Sequence, residues 1–315
     1  MKENLKSLQS LSLGMKIQKS LTKIMQFHAR MDGNVFISFS GGKDSTVLLH
    51  LVRSIFPHVR AVFAHTGLEY PEVAKFAMSQ ENVEVVRPRK TFKQIIQEFG
   101  YPVISKDVSL VIEYCGKGST WAKNNLAGLN ADGSASPYKK GMYSKYEFLL
   151  DAPFKVSSKC CYYMKEQPLD SYAKKNKIHP FIGTLACESK RRMNGWLQTG
   201  CNIFDGKKPR SAPLSFWLER HILQYIQMHN LQIPSVYGDI ADVGGKLKTT
   251  GCDRTGCMFC LFGCHSEKQP NRIQRMSETH PKIYNYILKP TNDGGLGLAK
   301  VMDFVGIPYI EEVDK

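Results

Sequence analysis

The chain has no long hydrophobic run. Its most apolar stretches, Val35 to Phe39 and Val47 to Val52, fall far short of the roughly 20 residues that cross a bilayer. The first 30 residues alternate apolar and Lys-rich positions and lack a hydrophobic core with a small-residue cleavage site. No signal peptide is therefore read, and the expected compartment is the cytoplasm. There is no internal repeat. Acidic residues are in short supply: 28 Asp plus Glu face 43 Lys plus Arg, leaving a formal charge of +15. No cysteine follows Cys264.

With 42% hydrophobic and 23% charged residues the composition is that of a globular protein, which excludes a disordered tail or a collagen. A chain of 315 residues buries enough surface to need no disulfide framework. In a reducing compartment its nine cysteines are accordingly expected to be free, catalytic or metal-bound. Between Lys139 and Arg210 there are 15 Lys plus Arg against 6 acids, so nine surplus charges sit in under a quarter of the chain. That segment is either a solvated basic face or a surface for phosphates or nucleic acid.

Apolar residues at Ile17, Leu21, Ile24 and Phe27 predict a helix from Met15 to Met31 that Gly33 ends. Val35 to Phe39 predicts a strand, and Asp44 to Ile55 a helix. Arg60 to Ala64 and Val83 to Val86 predict strands around a helix from Pro71 to Ser79. This alternation implies an α/β fold, a doubly wound, mostly parallel sheet covered on both faces. From Gly116 to Gly141 the pattern breaks, and a long loop is expected. Beyond it a strand is expected from His179 to Leu185, with helices from Glu188 to Leu197 and Phe216 to His229. The expected division is an N-terminal helical segment (1–34), a nucleotide-binding α/β domain (35–240) with a loop insertion at about 116–145, and a cysteine-rich C-terminal region (241–315).

Ser40-Gly41-Gly42-Lys43-Asp44-Ser45-Thr46 lies between the first strand and its helix, where parallel sheets bind ligands. Two glycines let backbone approach an anion, helical N–H groups point at it, and three hydroxyls add donors. It is not a Walker A loop, because Asp follows Gly-Gly-Lys. The segment resembles the pyrophosphate loop of the adenine-nucleotide α-hydrolases, the PP-loop ATP pyrophosphatases. The resemblance implies that Ser40, Gly41, Gly42, Lys43, Asp44, Ser45 and Thr46 hold the phosphates of ATP or the sulfate end of adenylyl sulfate, with Asp44 a candidate Mg²⁺ or orienting group. His65-Thr66-Gly67-Leu68-Glu69-Tyr70-Pro71-Glu72 is similar to the strand-end Thr-Gly-x-x-x-Pro-Glu of the phosphoadenylyl-sulfate (PAPS) reductase family. It would put Thr66 and Gly67 beside the nucleotide; His65 stands where that family commonly has Asp. Gly183 to Arg192 resembles the family's phosphate-proximal segment, adding Glu188, Arg191 and Arg192. Lys43, Asp44, Arg191 and Arg192 are the expected catalytic set, the cations stabilising developing charge. Pro213-Leu214-Ser215-Phe216-Trp217, Tyr225-Ile226 and Ile233 to Tyr237 match the family's framework, and core packing is their expected first role.

Cys252, Cys257 and Cys260 have C-x₄-C-x₂-C spacing, which suits a local metal site that Cys264 or His265 would complete. Cys160-Cys161, with Lys165 and Pro168-Leu169, instead resembles the adenylyl-sulfate reductases. That resemblance implies a [4Fe–4S] cluster held by Cys160, Cys161, Cys257 and Cys260. Cys115, Cys187 and Cys201 have no partner pattern and are expected to be small buried residues.

Together these similarities imply a PAPS-reductase-family enzyme that cleaves ATP to AMP and pyrophosphate and so activates a substrate for sulfur transfer, close to the DNA phosphorothioation sulfurtransferases. Its implied partners are an adenine nucleotide, a nucleic-acid acceptor, and a sulfur-donor or thiol-carrier protein, with no membrane. The alternatives are a (phospho)adenylyl-sulfate reductase releasing sulfite, which needs a nucleophilic thiol that only Cys264 would supply near the tail, and a non-catalytic metal-containing module that binds nucleic acid.

Overall fold

A computed structural model describes residues 2–310; Met1 and the last five positions of the expected C-terminal region lie outside the described residues. The chain gathers into two compact units, each made of two separate stretches: 1–88 with 167–255, and 89–166 with 256–315. This interleaving differs from the linear division expected from the sequence. Its cause in the second unit is a short parallel pairing in which Leu261 and Phe262 lie opposite Val103 and Ile104. Two-residue strands leave no periodic signal, so the pairing is invisible in the sequence.

The first unit is built on a six-stranded sheet ordered Val83–Val86, Ala61–Ala64, Val35–Phe39, His179–Ile182, Arg210–Ser211, Asn202–Ile203. All neighbours are parallel except the last two, which are antiparallel. The mostly parallel α/β expectation therefore holds. Val35, Phe36, Ile37 and Phe39 are all buried, as a central strand covered on both faces requires. Helix Leu13–Arg30, capped by Ser12, sets Phe27 edge-on to Phe181 with ring centroids 5.3 Å apart. Helix Lys43–Arg53 buries Val47, Leu48, Leu51 and Val52, and so fixes the end of the first strand's loop against the core.

Some expected boundaries move for identifiable reasons. The stretch 186–188 is a tight 3-10 turn, and the helix begins at Lys190 because Ser189 caps it, accepting the Arg192 N–H at 3.2 Å. The helix expected from Phe216 starts at Glu219, since Phe216 and Trp217 are spent on the core. Trp217 donates its indole N–H to Ser20 Oγ at 2.9 Å. An additional helix, Lys2–Ser10, precedes the first predicted one.

The second unit is helical. Helices Phe92–Phe99 and Lys106–Gly116, and then Arg272–Thr279, Pro281–Leu288 and Leu298–Val305, accompany the two-residue strand pair. The long loop expected at 116–141 contains two short helices, Thr120–Leu126 and Pro137–Tyr143. Ala122 and Leu126 are buried and Ser136 caps the second helix. A seven-residue helix presents too few turns to show amphipathic periodicity. Among the described residues, no helix is long and apolar enough to cross a membrane.

Candidate functional site

In the first unit the strand Val35–Phe39 ends on Ser40, and Gly41 turns the chain with φ of +73°. A Cβ at Gly41 would stand 2.9 Å from Val73 O and 3.0 Å from Ala77 Cβ, so both conformation and space require glycine there. Gly42 caps the helix, and a Cβ on it would stand 3.0 Å from the Tyr237 hydroxyl. The same hydroxyl accepts the Lys43 N–H at 3.2 Å and pairs with Thr255 Oγ1 at 2.9 Å. Ser45 and Thr46 donate to Gly42 O at 2.8 and 3.1 Å, and Ser40 Oγ lies 3.0 Å from Ser45 Oγ. The loop is thus a close-packed turn, with the Ser45 and Thr46 hydroxyls on one carbonyl and Ser40 Oγ accepting the Gly42 N–H at 3.4 Å.

Lys43 is 3% exposed. Its ammonium bonds Asp253 O, forms an ion pair with Glu219 at 3.0 Å, and lies 5.3 Å from the Tyr237 ring centroid. Burial pushes the Asp44 carboxyl up, against the pull of Lys43, Arg254 and Arg192 and with the push of Glu219. Glu188 turns back to accept the Leu185 N–H at 2.9 Å and forms ion pairs with Arg192 and, at 3.4 Å, with Arg254. Asp44, Lys43, Arg192 and Arg254 therefore share one electrostatic neighbourhood. A Cβ on Gly183 would stand 3.2 Å from Asp44 O, which brings the segment carrying Glu188 and Arg192 directly against the loop. Arg191 is exposed on the same helix.

Thr66 and Gly67 form their own turn. The Glu69 carboxylate accepts both their N–H groups at 3.1 Å and the Thr66 hydroxyl at 2.7 Å, and His65 Nδ1 accepts the Gly67 N–H at 3.2 Å. Sequence reasoning missed Glu219, Arg254, Thr255 and the Asp253 carbonyl, and placed Tyr237 in the core. Tyr237 is 2% exposed, so packing and loop support coincide.

The thiols Cys160, Cys161, Cys257 and Cys260 all belong to the second unit. Cys160 and Cys161 open the helical turn before the π-helical stretch Tyr162–Glu166, which Met164 anchors at 1% exposure. Cys257-Met258-Phe259-Cys260 is a tight turn closed by the Cys260 N–H on Cys257 O at 3.1 Å and pinned by buried Met258 and Phe259. The two pairs feel one another. Cys160 shares a proton with Cys161, which pushes the Cys160 thiol up and Cys161 down, and both Cys257 and Cys260 act on Cys160. Burial, then the charge of Cys257, pushes Cys260 up to about 12. Even so, among the described residues no three His, Cys, Asp or Glu side chains stand in metal-binding geometry.

The remaining cysteines behave differently. Cys252 lies in the first unit, its N–H on Val236 O at 2.9 Å. Cys264 is fully buried and its thiol is pushed up to about 11 by burial, the reverse of what a nucleophile needs. His265 Nε2 lies 3.3 Å from the Tyr146 hydroxyl. Cys201 is buried as expected, Cys115 is partly so, and Cys187 is exposed, a departure from the expected burial.

The phosphoadenosine phosphosulfate reductase domain family matches residues 34–112 and 129–261. That is well over half of the chain, which therefore belongs to this family. Two uncharacterised proteins of Methanocaldococcus jannaschii are 22% identical to it over 86% and 79% of its length. The chain spans only 51% and 40% of those relatives. Two solved structures are similar at lower levels. A PAPS reductase from Candida auris in a phosphate complex is 12% identical, with 78% of this chain and 95% of that one covered and a TM-score of 0.39. The U34-tRNA thiolase NcsA from Methanococcus maripaludis, with its [4Fe-4S] cluster, is 14% identical, with 96% and 84% covered and a TM-score of 0.38.

Proposed function

We propose that this chain is a PP-loop enzyme that binds an adenine nucleotide at Ser40 to Thr46, cleaves ATP to AMP and pyrophosphate, and so activates an acceptor for sulfur transfer. The observation that carries the reading is the buried Lys43 ammonium beside a left-handed turn at Gly41 where a Cβ would stand 2.9 Å from Val73 O. A cation and a bare backbone at a helix N-terminus suit a polyphosphate. Acceptor oxygen attacks the α-phosphorus, and pyrophosphate leaves with the electron pair of the broken P–O bond. A sulfide-level nucleophile then bonds to the acceptor atom that bore the adenylated oxygen, while AMP departs with the electron pair of the broken bond to that oxygen. Lys43 and Arg192 offset the growing phosphate charge, and Thr66, Gly67 and Glu188 shape the surroundings of the nucleotide.

Cys160, Cys161, Cys257 and Cys260 are the proposed ligands of a [4Fe-4S] cluster, and their mutual influence within one unit supports that set over one including Cys252. When bound, the cluster would supply a site for holding sulfur or a structural tie. Anaerobically purified protein, incubated with ATP and separately with adenylyl sulfate and its 3′-phosphate, is expected to yield pyrophosphate from ATP. Sulfite released with a thiol carrier, without pyrophosphate from ATP, would overturn the proposal in favour of the reductase. Nucleic-acid binding retained by Asp44→Ala, with no nucleotide turnover by the unaltered protein, would favour the non-catalytic module.

A further inference from the structure

The family match stops at residue 112 and resumes at 129. The stretch left outside it carries Tyr114, Lys117, Trp121 and Lys123, all exposed. Trp121 is 52% exposed, Tyr114 42%, and Tyr138 on the next helix 60%. The helices that bear these rings have a core without them: Val111, Ile112, Ala122, Leu126 and Leu149 are buried. Gly128 fixes the approach of the two short helices, since a Cβ there would stand 2.8 Å from Lys140 Cβ. Large rings left in water on a scaffold that does not need them mark a contact surface.

Charge says what kind. From Glu113 to Tyr146 there are five lysines and two acids. The Glu113 side chain is 6% exposed and already paired with Lys117 at 2.5 Å and Lys159 at 3.4 Å, and the Asp132 carboxylate is engaged by the Ser134 N–H and hydroxyl at 3.0 and 2.6 Å. Tyr114 and Trp121 meet edge to face, with centroids 6.5 Å apart and planes at 86°. Lys117 Nζ stands 5.2 Å from the Tyr114 centroid. Perpendicular rings cannot both lie flat on the protein, so the pair offers a ring face to an incoming planar group, with ammonium groups alongside for phosphates. Stacking faces combined with cations are how single strands are held without sequence readout, whereas the bases of a duplex are already stacked on one another.

We propose that residues 113–146 form a stacking platform for a single-stranded nucleic acid, with Trp121 and Tyr114 as base contacts and Lys117, Lys123 and Lys140 as phosphate contacts. The proposal rests on the nucleic-acid acceptor of the proposed function and gives that acceptor a surface.

The test is fluorescence anisotropy of 5′-labelled 20-nucleotide oligo(dT), oligo(U) and a 20-base-pair duplex, titrated with the full chain in the absence of ATP. This keeps a failure here separate from a failure of the nucleotide chemistry. The expected result is that one or both single strands bind more tightly than the duplex. Trp121→Ala should weaken binding at least about 5-fold and Trp121→Phe should largely restore it. Lys117→Gln with Lys123→Gln should flatten the salt dependence by about 0.7 per lysine. Far-UV circular dichroism and ATP turnover of the variants should match the unaltered protein. Absence of single-strand binding, equal affinity of Trp121→Ala, preference for the duplex, or a dimer that Trp121→Ala abolishes would each overturn the proposal.

Discussion

Gly41 and Lys43 do separate jobs in adjoining positions, and each can be removed alone. Gly41→Ala forces a Cβ onto Val73 O in a left-handed conformation. We expect it to cost about 1–3 kcal/mol in denaturant unfolding and to weaken nucleotide binding in calorimetry. Lys43→Met keeps most of the unbranched side chain but removes the ammonium that Glu219 and Asp253 O hold. ATP turnover should fall by about 100-fold or more, and turnover within a few-fold of the unaltered protein would contradict the role given to Lys43. A second residue-scale effect concerns His221. Its ring accepts the Leu218 N–H at 3.2 Å and faces Lys16 Nζ at 3.0 Å and Arg220. Burial, then those two cations, pushes its pKa from 6.5 down to about 4. The unfolded chain then takes up the proton first as pH falls. The stability contributed by the neutral ring is complete above about pH 6.5, declines toward pH 4 and changes no further below it. Urea midpoints measured from pH 7 to 4 should fall more steeply for the unaltered protein than for His221→Gln; parallel curves would refute this.

Capping decides element boundaries that hydrophobic periodicity leaves open. Ser105 accepts the Val108 N–H at 3.1 Å at the start of helix Lys106–Gly116. Ser105→Ala should cost about 1 kcal/mol, read as a lowered midpoint with an unchanged denaturant slope. Helices and strands with an apolar period were legible in the sequence: Pro71–Ser79, which buries Val73, Ala74 and Ala77, and the partly buried edge strand Val83–Val86 lie where the pattern put them. The PP-loop's place between strand and helix was equally legible, because two glycines and a lysine between two apolar segments admit few structures. Elements of two or seven residues, such as Leu261–Phe262 and Thr120–Leu126, were not, since contacts from elsewhere in the chain stabilise them. The support of the loop by Tyr237, Glu219 and Thr255, all more than 170 positions away, was hidden for the same reason. A local pattern carries no record of which distant residue will face it.

At the scale of the whole molecule the Ser40 to Thr46 loop and the four thiols belong to different units, so loss of one proposed chemistry should leave a local signature. Removing iron with a chelator under anaerobic conditions is expected to raise amide hydrogen exchange in 89–166 and 256–310. The stretch Val35 to Val52 should keep its protection. Cys257→Ser and Cys160→Ser should reproduce this and lower the bound iron, whereas Cys252→Ser should not. A uniform loss of protection would mean that the thiols do not tie the second unit in particular. Charge is shared differently: the basic segment 139–210 crosses from one unit to the other at 166, so its surplus belongs to neither alone.

The return of the chain to the second unit also sets a schedule for its synthesis. Cys160 and Cys161 leave the ribosome first, and Cys257 follows Cys161 by 96 positions. At about 5–20 residues per second that interval lasts about 5–20 s. Throughout it the nascent chain carries Cys160 and Cys161 without the Cys257 to Cys260 turn, while 167–255, the second stretch of the first unit, is made. The proposed cluster would accordingly be loaded only after the Ser40 to Thr46 loop and the rest of the first unit have been synthesised.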